Sequence, residues 1–329
     1  MADDEQLIVI IDASARGWED VDASDSLAAH LKFEGFKGSV LAFMQSAAVI
    51  SRGATPPVVL AYNGRYGGYL FPPPAAAESS GAADASAGGL ASLRRRVDLG
   101  LSLLRHQAQI DASLGGSMGS SGGALHMLGL GPRLCSMAAC LCAAACFANR
   151  RRAGSTCRRS RVLAFQAGPD VAADYIAIVN ATYSCLRLEV PIDFVDLSPP
   201  IYGSGSSVVP SQALALQQAS LVSGGRHCAP APLHRAALFE FLVVACLPDS
   251  GLRSTMLLLP PAEGADLRAH CFCHAQRQSV AWVCPVCLAI WCTFSERCVT
   301  CGTTAAAPAS AAAPTLPVSA SASSAARVM

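Results

Sequence analysis

The sequence has few charged and few aromatic residues, and its charges almost cancel. Charged residues make up 14% and aromatic residues 6% of the 329 residues, and the formal net charge is +1. Such a chain has no general electrostatic attraction for nucleic acid, for acidic substrates or for a membrane surface. Any partner of that kind would have to be bound by a local group of residues.

Long hydrophobic runs are also missing. The longest, Leu134 to Ala148, would extend about 22 Å as a helix, whereas the hydrocarbon core of a bilayer is about 30 Å thick. We therefore expect a buried helix there and no membrane partner. The acidic start, Met1 to Glu5, lacks the basic flank of a secretory signal, so an intracellular protein is predicted.

Motifs for nucleotide binding and for catalysis are absent. The sequence contains neither a phosphate-binding loop nor a dinucleotide fingerprint after its first apolar run. The hydrolase pattern Gly-x-Ser-x-Gly occurs around Ser117 and Ser121, but without the strand and helix that hold a nucleophile in a strained turn. We predict no catalytic residue, no small-molecule substrate and no enzymatic activity.

Short apolar and β-branched runs recur between stretches with helical spacing. Strands are predicted at 7–11, 40–43, 58–62, 161–165 and 192–197, and helices at 26–32, 93–110, 134–149, 170–186 and 211–222. Continuous apolar runs are typical of strands buried on both faces. Their alternation with helices predicts a doubly wound, mostly parallel α/β sheet.

Changes in composition divide the chain. We expect an α/β domain over residues 5–250, with low-complexity insertions at about 72–92 and 113–131 that contain little that could pack. A small metal-binding module is expected over 266–302. Residues 303–329 are rich in Ala, Ser and Pro, and are expected to form a disordered tail.

Cysteine is plentiful, and its spacing near residue 300 is specific. Two Cys-x-x-Cys pairs, Cys284 with Cys287 and Cys298 with Cys301, are separated by ten residues. Four thiolates complete the closed tetrahedral shell that structural zinc prefers. We therefore predict a zinc ion that folds the module and leaves no open position for activating water.

Four further potential ligands precede or separate these pairs: Cys271, Cys273, His274 and Cys292. If they bound a second zinc ion, the ligand pairs would interleave as in the cross-brace of a RING domain. The spacing leaves one zinc ion or two open. A RING-type ubiquitin ligase is kept as an alternative; it needs two zinc ions in a cross-brace and an exposed apolar groove for a conjugating enzyme.

A second candidate site follows the first predicted strand, where open α/β sheets bind ligands. Asp12-Ala-Ser14-Ala-Arg16 resembles the metal-ion-dependent adhesion site of von Willebrand factor A domains, Asp-x-Ser-x-Ser. Arg16 replaces the last serine, which removes a hydroxyl ligand and adds a permanent cation. A metal-dependent, ligand-binding A domain is therefore kept as a further alternative.

Three small basic clusters occur at 94–96, 150–152 and 158–159. No aromatic residues are interleaved with them and no longer basic stripe accompanies them. Solvated helix ends are therefore favoured over direct contact with nucleic acid.

Motifs near the C-terminal end carry a specific resemblance to a known family. They are Phe241-Leu-Val-Val-Ala-Cys-Leu-Pro-Asp249, Leu257-Leu-Leu-Pro-Pro261, Arg268-Ala-His-Cys-Phe-Cys-His274 and Val283-Cys-Pro-Val-Cys-Leu-Ala-Ile-Trp-Cys292. These motifs resemble the smaller von Willebrand A-type, zinc-binding subunits of the general transcription and DNA repair factor TFIIH. The resemblance covers most of residues 5–302.

The resemblance implies both fold and function. It implies a von Willebrand A-like domain followed by a zinc-binding region, in a non-catalytic structural subunit of the TFIIH core complex. Such a subunit acts in RNA polymerase II transcription initiation and nucleotide excision repair, in the nucleus, through protein contacts. Its implied partners are the other core subunits, especially the larger A-type subunit that contains zinc.

Overall fold

The structure is a computed structural model of the chain. It describes residues 5–15, 17–19, 32–50, 56–72, 89–113, 123–153, 159–168, 171, 174–198, 201–202, 208–209, 213–229, 237–255, 271, 280–287 and 289–304. The chain divides into two compact units, Met1–Arg268 and Ala269–Met329. Each unit is described by itself below.

The first unit is built on a six-stranded sheet with the strand order β3-β2-β1-β4-β5-β8. The strands are β1 Glu5–Asp12, β2 Val58–Tyr62, β3 Gly67–Phe71, β4 Arg159–Gln166, β5 Ile192–Asp196 and β8 His227–Cys228, and a separate small hairpin joins β6 Ile201–Tyr202 to β7 Val208–Val209. All neighbours in the large sheet pair in parallel except β3, an antiparallel edge strand. The predicted mostly parallel sheet is confirmed.

Helices cover both faces of this sheet. The described helices are α1 Phe33–Ile50, α2 Gly89–Ser113, α3 Gly123–Met127, α4 Met137–Ala153, α5 Tyr175–Arg187, α6 Leu214–Ser223, α7 Leu238–Ala245 and α8 Ser250–Thr255. Side chains from α1, α2 and α7 pack against the face that carries Val9 and Ile11. Side chains from α4, α5 and α6 pack against Ile8 and Ile10 on the other face. Both faces of β1 are therefore buried, which accounts for its continuous apolar run.

The prediction of a strand at 40–43 is wrong, because these residues lie within α1. Phe36, Val40, Phe43 and Met44 are all buried, and their spacing of three or four residues places them on one helical face. A short run of four apolar residues does not distinguish a strand from part of a buried helix face.

The segment 113–131 packs more than its composition suggested. Leu125 and Leu130 are 2% and 1% exposed and belong to the main core. Gly131 pairs with Gly67 of β3 through two backbone hydrogen bonds of 2.9 and 3.0 Å. The expectation that little in this segment could pack is therefore wrong for its end. Residues 73–88 and 114–122, which include Ser117 and Ser121, lie outside the described residues.

The apolar run that ends at Ala148 lies in and just before α4. Its residues Leu141, Ala144 and Ala148 are buried against the sheet. In the described ranges, no helix combines the length and the apolar character that a membrane span requires.

A buried ionic cluster fixes the last helices to the amino edge of the sheet, where the parallel strands begin. Arg253 Nη1 of α8 lies 2.6 Å from Asp193 Oδ2 of β5, and Arg161 Nη1 of β4 lies 3.2 Å from the same oxygen. Both guanidinium groups also donate to the carbonyl oxygen of Cys246, at 2.7 and 3.1 Å. The Arg226 backbone N–H donates to Asp193 Oδ1 at 3.0 Å. One carboxylate thus connects β5, β4, β8 and α8.

A left-handed residue ends α5 and yields a stability prediction. Glu189 has a φ of 55°, and its side chain is 83% exposed. The backbone conformation closes the helix, because the Val190 N–H donates to the Cys185 carbonyl at 2.9 Å. Glu189→Gly is expected to stabilise the chain by about 0.5–1 kcal/mol, since glycine adopts this conformation without a Cβ penalty.

Urea unfolding would measure this gain, with Glu189→Ala as the matched control. The control removes the carboxylate, which lies 3.8 Å from Arg152 Nη2, but keeps the Cβ. It should leave stability within about 0.5 kcal/mol, because exposed ion pairs contribute little. If Glu189→Gly and Glu189→Ala changed the free energy of unfolding equally, the left-handed conformation would carry no strain.

Candidate metal centre

The two Cys-x-x-Cys pairs meet in the second compact unit. The sulfur atoms of Cys284, Cys287, Cys298 and Cys301 all lie within 4.8 Å of one another. Across the pairs, Cys284 Sγ lies 3.7 Å from Cys301 Sγ, and Cys287 Sγ lies 3.6 Å from Cys298 Sγ. Zinc–sulfur bonds of about 2.3 Å in a tetrahedron require sulfur separations of about 3.8 Å. The donor set therefore fits a tetrahedral, sulfur-bound metal ion.

A small hairpin positions the first pair. Strands β9 Trp282–Val283 and β10 Ile290–Trp291 are antiparallel, with Ile290 opposite Val283. The Cys284 N–H continues this pairing by donating to the Ala289 carbonyl at 2.9 Å. The turn between the strands therefore carries Cys284 and Cys287 on one tight loop.

A second tight turn positions the other pair. The Gly302 N–H donates to the Cys298 carbonyl at 2.7 Å, and the Cys298 N–H donates to the Thr303 carbonyl at 2.8 Å. Gly302 has a φ of 75°, a left-handed conformation that favours glycine. The chain can therefore reverse directly after Cys301, which leaves both sulfur atoms facing the first pair.

Hydrogen bonds prepare part of this cluster to bind a cation. The backbone N–H of Cys301 lowers the pKa of Cys298 to about 6, and the Thr303 hydroxyl lowers the pKa of Cys301. Burial, together with the neighbouring thiols, raises the pKa of Cys287 to about 12. Two thiols are thus biased toward the thiolate, and Cys287 would release its proton when a metal ion binds.

Among the residues of this unit that the structure describes, the apolar core around the cluster is very small. Its buried members are Cys284, Ala289 and Cys298, with Cys287 and Trp291 packed against them. Trp282 stacks edge to face on Phe294, with ring centroids 5.2 Å apart, yet Trp282 remains 42% exposed. The surface buried by these residues is small against the entropy of ordering them, so a cross-link such as a bound metal would stabilise this part of the unit.

The structure describes only two of the four residues of the predicted second site. Cys271 is buried and Cys292 is half-buried, whereas Cys273 and His274 lie outside the described residues. Within those residues, the four-cysteine cluster is the one group of three or more potential ligands. The second zinc site therefore stays a prediction, as does the number of zinc ions.

The candidate site after β1 holds a buried carboxylate beside an internal cation. Asp12 Oδ1 accepts the Ser14 N–H at 2.8 Å, and the Asp12 carbonyl accepts Trp18 Nε1 at 2.8 Å. Burial raises the pKa of Asp12, and the attraction of Arg105 opposes that shift. Arg105 Nη1 of α2 donates to the Ser14 carbonyl at 3.2 Å. Arg16 lies outside the described residues.

Magnesium is therefore not expected to bind at Asp12. No group of three His, Cys, Asp or Glu side chains surrounds it in the described part of the chain, and a guanidinium already contributes positive charge there. We predict that saturating Mg²⁺ leaves the thermal unfolding midpoint unchanged, both in the natural chain and in Asp12→Asn. A rise with Mg²⁺ that Asp12→Asn abolishes would contradict this prediction.

Comparisons with known proteins place the chain among transcription factor subunits. The family described as transcription factor Tfb4 matches residues 5–302. The Arabidopsis thaliana protein named general transcription and DNA repair factor IIH subunit TFB4 is 35% identical over 51% of this chain and 52% of its own length. General transcription factor IIH subunit 3 of Dictyostelium discoideum is 33% identical over 51% of this chain and 41% of its own length. The Schizosaccharomyces pombe subunit tfb4 is 31% identical over 44% of each chain.

The chain therefore spans about half the length of the curated relatives that it matches. Among solved structures, the crystal structure of the TFIIH p34 N-terminal domain matches 73% of this chain and 96% of its own, with 18% identity and a TM-score of 0.48. None of these comparisons supports a ubiquitin ligase or a metal-dependent adhesion domain. The family match extends from the first strand of the sheet through the four-cysteine cluster, and the chain belongs to the transcription factor Tfb4 family.

Proposed function

We propose that this chain is a non-catalytic structural subunit of the TFIIH core complex. It would act in the nucleus, in RNA polymerase II transcription initiation and in nucleotide excision repair, through contacts with other proteins. The observation that carries this proposal is the family match, which runs through the sheet domain and the cysteine cluster alike. The relatives' names, which describe subunits of general transcription and DNA repair factor IIH, support it.

The four-cysteine cluster would hold a structural zinc ion in this protein. Zinc with four thiolates has a closed coordination shell, so it would contribute folding energy and would not activate water. The sulfur separations of 3.6 and 3.7 Å support this assignment. Soft thiolate ligands in a tetrahedral arrangement favour zinc or an iron–sulfur centre over hard cations such as Mg²⁺.

The partners would be other TFIIH core subunits, in particular the larger A-type subunit that contains zinc. The proposed organisation is a von Willebrand A-like domain over 5–250, a zinc module over 266–302 and a tail over 303–329. The module offers apolar side chains for such contacts: Val283, Val286 and Val299 are 54%, 65% and 78% exposed. Contiguous patches of exposed apolar residues are typical of protein interaction sites.

Reconstitution would test the proposal. The full chain would be co-expressed with the other core subunits and passed over a size-exclusion column. We expect it to elute with them at one copy per complex, and we expect the purified chain alone to turn over neither ATP nor ubiquitin thioester. Elution of a folded chain apart from every core subunit would overturn the proposal.

A further inference from the structure

Three helices of one layer end together at the amino edge of the sheet. Helices α4, α5 and α6 lead into the parallel strands β4, β5 and β8, and α5 contacts both of its neighbours. Because each helix precedes a strand that starts at this edge, their last turns line up there. We call the exposed side chains of these turns the basic end face, defined as Arg152, Tyr183, Leu186, Arg187, Leu221 and Val222.

Positive charge predominates on the basic end face. Arg152 and Arg187 are exposed, and Arg152 Nη1 donates to the Leu188 carbonyl at 3.1 Å, which holds the end of α4 against the turn after α5. Glu189, whose carboxylate lies 3.8 Å from Arg152 Nη2, is the exposed acid in the described residues of this turn, and it offsets one of the two arginines. Asp193 is buried between two other arginines. Local charge thus favours an acidic partner, although the whole chain is nearly neutral.

Apolar side chains are exposed near the same helix ends. Tyr183 and Leu221 are 55% and 51% exposed, and Leu186 and Val222 are 43% and 40% exposed. The helix dipole accounts for arginine near a helix C-terminus, but it gives no reason to expose aliphatic and aromatic groups to water. Arginine and tyrosine together, without lysine, are the composition that protein interfaces favour.

We propose that the basic end face binds an acidic segment of a partner polypeptide that also carries aliphatic side chains. The arginines would pair with its carboxylates, and Leu186, Leu221 and Val222 would bury its aliphatic groups. Nucleic acid fits this face less well, because a phosphate backbone offers the exposed leucine and valine side chains no apolar partner. The inference goes beyond membership of TFIIH and does not depend on it.

A binding assay with synthetic probes tests this inference on the full chain. Fluorescence anisotropy would compare three probes: a labelled peptide of alternating Glu and Leu, the same peptide with Ser in place of Leu, and a duplex DNA. We expect the Glu/Leu peptide to bind about tenfold more tightly than the Glu/Ser peptide, because only the former buries apolar area. We expect the DNA to bind more weakly than the Glu/Leu peptide.

Paired variants locate the binding surface. Arg152→Glu with Arg187→Glu should weaken binding of the Glu/Leu peptide about tenfold. Leu221→Ser with Val222→Ser should do the same at an unchanged thermal midpoint. Arg187→Glu alone, which keeps the contact between Arg152 and the Leu188 carbonyl, separates lost binding from lost stability in the first pair. The matched controls lie on α2 in the opposite layer, where Arg94 and Arg95 are exposed and Leu99 is 48% exposed. Arg94→Glu with Arg95→Glu, and Leu99→Ser, should leave binding within about twofold.

Three results would overturn the inference. The Glu/Leu and Glu/Ser peptides could bind with equal affinity, or the α2 control variants could lose as much affinity for the Glu/Leu peptide as the variants of the basic end face. The third is that DNA binds more tightly than the Glu/Leu peptide and the arginine reversals abolish this binding. The last result would make the surface a phosphate-binding one. Because every probe is synthetic, failure here is distinct from failure to join the TFIIH complex.

Discussion

Cys298→Ser is expected to remove metal from the four-cysteine cluster and to unfold the chain around it. Serine cannot supply the fourth thiolate, and the remaining three sulfur atoms would lose a closed tetrahedral shell. Structural zinc contributes on the order of 10 kcal/mol to folding such a unit. The small core around Ala289 cannot replace that contribution. We expect at least one zinc ion fewer per chain and loss of amide protection over residues 280–304, both measured on the full chain.

Cys142→Ser provides the matched control for this variant. Cys142 is exposed on α4 and lies far in sequence from the cluster. Loss of its thiol should change neither the zinc content nor the amide protection of residues 280–304. The sheet of the first unit should keep its protection in both variants. A Cys298→Ser chain with the full zinc content and normal protection of residues 280–304 would show that this thiolate binds no metal.

Asp193→Ala is expected to destabilise the first unit by about 3–5 kcal/mol. The substitution would leave the Arg161 and Arg253 guanidinium groups facing each other, in a place where the Arg161 and Asp193 side chains are each only 4% exposed. The remaining carboxylate, Glu5, has Oε2 3.4 Å from Arg161 Nε and can offset only one of the two charges. Removing one partner from a buried ionic cluster leaves uncompensated charge in a region of low dielectric constant. It would also leave the Arg226 N–H without the acceptor that it now contacts at 3.0 Å. Urea unfolding monitored by circular dichroism would measure the loss.

Asp98→Ala provides the surface comparison. Asp98 Oδ1 lies 3.0 Å from Lys37 Nζ, but the Asp98 side chain is 52% exposed, so this ion pair should contribute less than about 1 kcal/mol. If Asp193→Ala costs no more than Asp98→Ala, the buried cluster does not hold α8 against the sheet. Arg253→Glu, which reverses the charge at this position, would then also leave the free energy of unfolding nearly unchanged.

The parallel sheet could be predicted from the sequence because its strands are buried on both faces. The predicted strands at 7–11, 58–62, 161–165 and 192–197 correspond to β1, β2, β4 and β5. Such strands appear as continuous apolar runs, which are the strongest local signal of a parallel sheet. The four-cysteine cluster could also be predicted from the sequence, because two cysteines at a fixed spacing can present two thiolates to one ion.

Other features depend on contacts between distant residues. β3 begins with Gly67 and Gly68, residues that strands disfavour, and its pairing depends on the hydrogen-bond partners that β2 and Gly131 supply. The ionic cluster joins Arg161 to Arg253, which are 92 residues apart in a sequence that marks neither as special. Composition predicts a solvated helix end or loop at 150–152, and only the fold places Arg152 beside the end of α5.

We expect sulfur-bound zinc to fold the second unit of this chain. Hydrogen exchange and zinc content, measured together on the purified full chain before and after treatment with a chelator, decide this point. We expect at least one zinc ion per chain, protected amides over 280–304, and loss of both on chelation while the six-stranded sheet stays protected. Protected amides over 280–304 in a chain that contains no zinc would show that the unit folds without metal.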